Sequence, residues 1–541
     1  MRRPLLLLAC LATAFAAHAR DFDWVIVEPM DETGNPSFVQ SCLGIGPTGG
    51  PVRARLLHKD MTDGLRNLGD CRVEAFSPAG AVLWSQDLTG KLNVSELCVD
   101  TTGAIVLHGF YRDSLVVDAS HQLLNMSGQT REFLLRFDAA RAVEWLFDAA
   151  YLPSLFSIAA MTIDSQNRVW IGGQDQVAGL SSAIHRLDAS GAVAATYQQI
   201  CVLGVSGLAV DADGTLWVVG PTDSAPASFN GYDTSPPFVY NNYLVKYAPN
   251  GQAEWVRFVE DITFQASRVV SDGAGGVYFA GDLSGAFAFG DLIADGPNWV
   301  YDFFLTRVDA NGDFLWLREV PDDGVITGDA GHGKSVFLAR GQDGGALVAG
   351  FSRFNVDWAG DEQPPPSYGG HDLLLLEYGA NGDFLGAKTA GSTGHDIADA
   401  LAVDASGTVY LCGQVGAGAQ FDEQQFGGNF LNAVIAALPA EATAVDAAPA
   451  AALALANHPN PFNPTTRIAF TLPAPGHVEI AIFDLRGACV ATLAAGERAE
   501  GAQALDWDGR DANGRALPSG VYLARLGTAA GSASRRLVLL R

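Results

Sequence analysis

Three kinds of short stretch in this 541-residue chain carry residue types that do chemistry. Asp309-x-Asn311-x-Asp313 sets three oxygen side chains at the alternate spacing with which a calcium loop opens. The glycine falls at 312, before the third ligand, and no bidentate glutamate follows, so the stretch reads as a hairpin turn. Asp211 with Asp213, and Asp322 with Asp323, read the same way. His371-Asp372 and His395-Asp396 each follow a glycine and set an imidazole beside a carboxylate, the pairing that acid–base catalysis in a cleft uses. Both also stand where strands begin, where His and Asp cap loops. Gly331-His332-Gly333-Lys334-Ser335 ends like a phosphate loop but lacks its first glycine and the following helix. There is no G-x-S-x-G, H-E-x-x-H or Walker motif. No catalytic, cofactor-binding or metal-ligating residue is assigned, and the chain is read as non-enzymatic.

The elements around these stretches are hairpins. Two phrases alternate along the chain. The first is an apolar strand, a turn ending in Gly, then a short strand carrying Trp. Its cleanest copy runs Phe304-Leu305-Thr306-Arg307-Val308-Asp309-Ala310-Asn311-Gly312 to Trp316. Other copies lead to Trp84, Trp145 and Trp255, while Ala195 and Gly386 hold the Trp position in two weaker ones. The second is strand, Asp-x-x-Gly turn, strand, Gly, as in residues 208–220 and 401–413. Asp and Asn bond their own turn backbone, and Gly supplies the positive φ. The flanking runs are apolar, as in strands buried between sheets.

Trp24, Trp84 and Trp145 are 60 and 61 residues apart, and Trp255 and Trp316 are 61 apart. Seven copies of each phrase fill residues 21–438, at about 60 residues per four-stranded unit. This predicts a seven-bladed β-propeller over residues 20–438. The last copy, residues 430–438, has no Trp strand after it. Phe22-Asp23-Trp24-Val25-Ile26-Val27 matches that missing strand, so the N-terminus is expected to pair into the last unit and latch the ring. An open array would leave an edge at each end.

The Asp-x-x-Gly-x-Val-Tyr-x-x-Gly pattern at 404–413 and the Leu-x-Trp step resemble bacterial SBBP-type propeller repeats over most of residues 21–438. That resemblance implies the fold and an extracytoplasmic setting, and no catalytic residue.

Residues 439–456 are an Ala/Pro-rich linker. Short strand-like runs separated by Gly, Pro, Asn and Asp turns then fill 457–541 without a helix, which reads as an immunoglobulin-like sandwich. Its motifs are Asn460-Pro461-Phe462-Asn463-Pro464, Phe483-Asp484-Leu485-Arg486-Gly487, Trp507-Asp508-Gly509 and Gly520-Val521-Tyr522. As a set they resemble the FlgD-type Ig module, specifically the C-terminal sorting domain of type IX secretion substrates. The resemblance implies recognition by an outer-membrane translocon, then cleavage, release or surface attachment. The chain departs from the pattern at Ala488-Cys489 and ends in Arg541, which leaves attachment and cleavage open. Taken singly, Trp507 and Tyr522 are core anchors of any sandwich, and Asp508-Gly509 is an ordinary turn.

Residues 1–19 read as a secretory signal peptide: Arg2 and Arg3, an apolar stretch, then Ala17-His18-Ala19. Leu7-Leu8-Ala9-Cys10 resembles a lipoprotein box, but the apolar run continues past Cys10. No later segment has the roughly 18–20 apolar residues of a membrane span. Six cysteines follow the signal, without C-x-x-C spacing; Cys71 with Cys98 is the first disulfide pairing to test. With 48% hydrophobic and 17% charged residues the chain is not disordered, and a net charge of −27 argues against a nucleic-acid partner.

The longest irregular segments are 221–242 and 351–370. Loops concentrate function, and Tyr232, Phe238, Tyr240, Trp358 and Tyr368 are the candidates for a binding platform; packing of long loops is the plain alternative. The sequence thus predicts a secreted or cell-surface binding or display protein without cofactors. Its partners would be a secretion translocon and an extracellular glycan or protein. The rivals are a polysaccharide hydrolase or lyase with paired carboxylates in a cleft, and a structural envelope component.

Overall fold

The computed structural model describes residues 20–541 except 31–40, 64–65, 153–154, 176–180, 261–266, 284–285, 296–301, 321–328, 334, 354–355, 357, 359–365, 441–454, 473–474, 484–488, 513 and 529–530. The signal peptide, Asp322, Asp323, Lys334, residues 484–488 and most of the linker therefore lie outside the described residues. The chain divides into two compact units, Met1–Glu441 and Ala442–Arg541. Both are built from strands, with one 3-10 turn at Ala149–Tyr151 among the described residues.

In the larger unit most described strands fall into antiparallel runs of four, with a fifth strand in one of them. The first holds Cys42–Ile45, Pro51–Leu56, Arg66–Phe76 and the start of Val82–Val99. That last strand continues without a break as the first strand of the second run, pairing with Ile105–Val116. Arg131–Phe137 and Val143–Asp148 complete the second run. The third runs from Leu155–Ile163 to Val193–Ile200, the fourth from Gly207–Val210 to Ala253–Glu260, and the fifth from Arg268–Ser271 to Phe314–Glu319. The sixth has Leu338–Arg340 and Asp329–His332 both against Ala346–Arg353, followed by Asp372–Tyr378 and Phe384–Ala390. The seventh takes Ile397–Val403, Val409–Val415 and Asn432–Leu438 and adds Trp24–Pro29, the first described strand. Trp24 faces Ala437 and Pro29 faces Asn432, the pairing expected of the N-terminal strand. First strands contact one another in order, and the first strand of the seventh run contacts that of the first, so the sequence of contacts returns on itself.

The turns follow from the chemistry of their aspartates. Asp100 Oδ1 accepts the amides of Thr102 and Ala104, and Asp404 Oδ1 those of Ser406 and Thr408. The second oxygen of Asp100 holds Arg136, and that of Asp272 holds Arg307, tying each turn to its third strand. Burial works to raise the pKa of both carboxyls. The turn donors and the arginines outweigh it and leave them below the usual range. The core lies between neighbouring runs: Trp217, Leu244 and Trp255 of the fourth pack with Val277, Phe279 and Phe304 of the fifth.

The 2–3 connections carry a further element. Ala227–Phe229 with Tyr232–Thr234, Ala286–Phe289 with Leu292–Asp295, and Gln420–Phe421 with Gln424–Gln425 are short hairpins. Phe229, Phe289 and Phe421 anchor them in the core. The first hairpin pairs with Gln199 and Ile200 on the outer strand of the preceding run, so it covers part of an exposed sheet edge.

The smaller unit has two sheets. One orders Leu455–His458, Thr466–Leu472 and Gly501–Trp507; the other orders Cys489–Arg498, Gly476–Phe483, Gly520–Thr528 and Gly531–Leu539. Ile468 and Phe470 of the first share a core with Val478, Ile480 and Ile482 of the second, while Glu479 is exposed. The prolyl bonds His458-Pro459, Asn460-Pro461 and Asn463-Pro464 are cis.

Candidate functional site

The two Gly-His-Asp tripeptides meet at the junction of the sixth and seventh runs. Residues 371 and 395 form a parallel backbone bridge, and the carboxylates of Asp372 and Asp396 approach the same point. They lie 2.7 and 2.8 Å from where a Cβ on Gly391 would sit. Both carboxylates are buried and committed to loop backbone. Asp372 accepts the Tyr368 amide and the Ser367 hydroxyl; Asp396 accepts the amides of Ser392 and Gly416. Burial pushes both carboxyls up against the pull of these donors. Asn241 and Asn432 hold the same place in their own runs and bond the preceding loop at Phe238 and Asn429. Asp372 is thus a loop-holding residue of the repeat.

A second polar cluster lies where the first strands converge. Arg268 of the fifth run donates to Glu96 Oε1 of the second at 3.0 Å. The same guanidinium bonds the Ser335 carbonyl of the sixth run at 3.1 Å and the Ser206 carbonyl of the fourth. Cys42 receives the Ser335 hydroxyl, and the Ser41 amide donates to Asp399. Burial raises the Glu96 carboxyl against the pull of Arg268 and His108. This cluster fills the convergence with mutually satisfied groups. The sequence left it unread because Glu96 and Arg268, 172 residues apart, are isolated charges in apolar strands until the runs are placed.

The proposed platform aromatics separate. Tyr232 and Tyr240 are exposed, and Phe238 and Tyr368 are half-buried. Trp358 is a correction: it is 7% exposed and packs on Phe303 with Val320 and Val356, so it is core and not platform. Tyr232, Phe238 and Tyr240 belong to the connection of the fourth run and Tyr368 to that of the sixth, with the fifth run between.

The calcium-like stretch resolves as a turn, while Gly331 and His332 end a strand. Asp309 Oδ1 accepts the amides of Asn311 and Asp313, and Gly312 has φ +85°. His332 stacks on Phe337, and Ser335 is buried. Among the described residues no three His, Cys, Asp or Glu side chains gather as metal ligands. Cys71 and Cys98 do not pair. Cys71 faces the Leu92 carbonyl and Cys98 the Met161 carbonyl, and all six cysteines are free thiols.

In the smaller unit, motifs far apart in sequence converge on the last four residues. Asn460 Oδ1 accepts the Val538 amide at 2.7 Å. Phe462 exchanges backbone bonds with Val538 and Leu540, and its ring packs on Trp507, which packs on Tyr522. Arg541 reaches the carbonyls of Asp508 and Gly509, and its amide bonds the Ser519 hydroxyl. Gly509, at φ +68°, lies under the Leu539 methyls. Gly520, Val521 and Tyr522 pair with Leu539, Val538 and Leu537. Pro461 and Pro464 carry two of the cis bonds, and Asn463 precedes the second.

Residues 457–532 match the FlgD Ig-like domain family. No curated protein matches the chain. Among solved structures, a protein of unknown function from Bacteroides caccae aligns at 11% identity and TM-score 0.31, covering 65% of this chain and 94% of its own. PorZ, a surface component of the type-IX secretion system of Porphyromonas gingivalis, aligns at 12% identity and TM-score 0.27, covering 93% of this chain and 70% of its own. A xylan β-1,4-xylosidase from Bacillus halodurans aligns at 10% identity and TM-score 0.26, covering 76% of this chain and 98% of its own. Scores this low carry no argument for the fold or activity of this chain. No helix among the described residues is long and apolar enough to cross a membrane.

Proposed function

We propose that the protein is an exported binding or display protein of the cell surface or medium. Its residues 20–438 would be a seven-bladed propeller of SBBP type serving as a ligand platform, and residues 457–541 a signal read by a type IX translocon. The observation that carries the reading is the C-terminal module. It matches the FlgD Ig-like family over 457–532, and Asn460, Phe462, Asp508, Gly509 and Ser519 gather round residues 538–541, where one receptor could read them together. The propeller reading is supported by the four-stranded runs, the returning circuit of first-strand contacts and the N-terminal strand in the seventh run. Tyr232 and Tyr240 are the exposed aromatics proposed to meet an extracellular glycan or protein.

Deleting 457–541 in a host with a type IX translocon is expected to trap the protein in the periplasm. Normal export of the truncated chain would sink the sorting reading. A glycan and peptide array probed with the full mature chain, and with Tyr232→Ala/Tyr240→Ala, tests the platform. Binding unchanged in the double variant would remove those residues from it.

A further inference from the structure

The junction of the sixth and seventh runs sets two imidazoles against each other. The rings of His371 and His395 lie 4.6 Å apart, edge to face, and the other face of His371 stacks on Phe351 at 4.5 Å. Their backbones are fixed: Gly370 and His371 donate to the Gly394 carbonyl at 3.0 and 3.1 Å, and Asp396 donates to the His371 carbonyl at 2.9 Å. These bonds hold the two Cα atoms in register, so the rings meet unless a side chain rotates away.

We propose that the His371–His395 contact is an acid-sensitive junction, closed while the His371 ring is neutral and loosened when that ring takes up a proton. An imidazolium held against a second imidazole and beside an arginine is disfavoured. Among the described residues the charged groups around His371 are His395, Arg353 on the strand beside it, and Asp372 and Asp396 around Gly391. Arg353 adds a positive charge. The two carboxylates are spent on loop amides and are raised by burial, so they lose their charge early on acidification and cannot balance the pair. Burial, His395 and Arg353 bring His371 down to about 4. The unfolded imidazole titrates near about 6.5. Between those values the opened state binds more protons than the closed one, so the junction is stable above about 6.5 and weakens as pH falls toward about 4.

The test uses the full mature chain. Urea unfolding at pH 7 and pH 5 should lower the wild-type folding constant by about tenfold more than that of His371→Gln, after discount for the half-exposed ring. NMR titration of the wild-type imidazoles gives a second readout that needs no variant to fold; His371 should titrate below 5.5. Equal pH dependence in wild type and variant, or a His371 titration at 6.5 or above, overturns the proposal.

Discussion

Neighbouring runs are joined in two ways, and the difference lies in what the second partner offers. Trp24, Trp145, Trp255 and Trp316 each send the indole N–H to a carbonyl in the outer turn of the next run, at Pro78, Ala189, Ala310 and Ala380. The turn glycine lies under the indole: a Cβ on Gly80 would meet Trp24 at 2.9 Å, and one on Gly382 would meet Trp316 at 2.7 Å. The sixth run has no such turn to reach, because the outer strands of the seventh, Asn432–Leu438 and Trp24–Pro29, are distant in sequence and no turn joins them. There the Trp position is Gly386 and the contacts are ionic. Arg20 bonds Glu377 and the Pro439 carbonyl, and Lys388 pairs with Asp422 and lies over Phe22. Four indoles thus meet a hairpin that presents an acceptor; the sixth run, which faces no such hairpin, has none, and the third run has Ala195 and sets Tyr197 over the next turn's Gly251 instead.

The seventh-to-first junction tests this contrast hardest, because it combines both modes. Trp24 makes the indole contact, and Glu28 of the same strand joins Arg53, Arg55 and Glu74 of the first run. Replacing residues 22–27 with Gly and Ser removes strand, indole and the apolar backing of Glu28 together. The expected loss is the largest, on the order of 5 kcal/mol or more, read as a fall in melting temperature. Unchanged melting would mean that the strand does not close the last run.

Arg53→Met comes next. Arg53 is fully buried, and its loss leaves Arg55 alone to balance Glu28 and Glu74, at a cost of about 4 kcal/mol. The pH dependence has a definite sign. Burial works to raise Glu28, but Arg53 and Arg55 outweigh it and hold its carboxyl below the ordinary range. Its stabilisation is therefore present at neutral pH and lost as pH falls through that lowered value. Glu28→Gln should flatten this part of the acid melting curve; a curve identical to wild type would show that the cluster contributes nothing.

Trp316→Ala removes one indole from a hairpin junction. It should cost about 3 kcal/mol, with the loss confined to the fifth and sixth runs by hydrogen exchange. A cost below about 1 kcal/mol would make the indole contacts ornamental, and the ionic junction would then be no weaker than its neighbours.

Much of this was legible in the sequence, and the parts that were not share a cause. The alternating phrases, the Trp spacing and the N-terminal strand are local patterns, and each strand carries its own period. The buried hairpins at Phe229, Phe289 and Phe421 went unread because their strands are too short to show a period. Trp358 stands in a stretch without strand periodicity, looked like a loop aromatic, and is core. The Cys71–Cys98 pairing rested on their sharing one early repeat, yet the side chains face different carbonyls. Arg268 and Glu96 become a pair only once the runs are placed. Asp372 and Asp396 carried a catalytic pattern by residue type, while their neighbours spend the carboxylates on loops.

The smallest effect is the most discriminating. A Cβ on Gly386 meets nothing within 4 Å, so a side chain can leave the backbone there without a clash. If indoles stabilise junctions simply by covering apolar surface, Gly386→Trp should add about 1 kcal/mol or more. If they need the turn carbonyl, it should change stability by less than about 0.5 kcal/mol, because no hairpin follows and Arg20 already holds the Pro439 carbonyl. Ala195→Trp is the control. The fourth run has the outer turn, but Tyr197 already lies over Gly251, 2.1 Å from a Cβ placed there, and stacks between Trp170 and Tyr247. A new indole must compete with that ring, so this variant should be neutral or destabilising. Stabilisation of the protein by Gly386→Trp, measured by melting, would reduce the two kinds of junction to one governed by surface coverage alone.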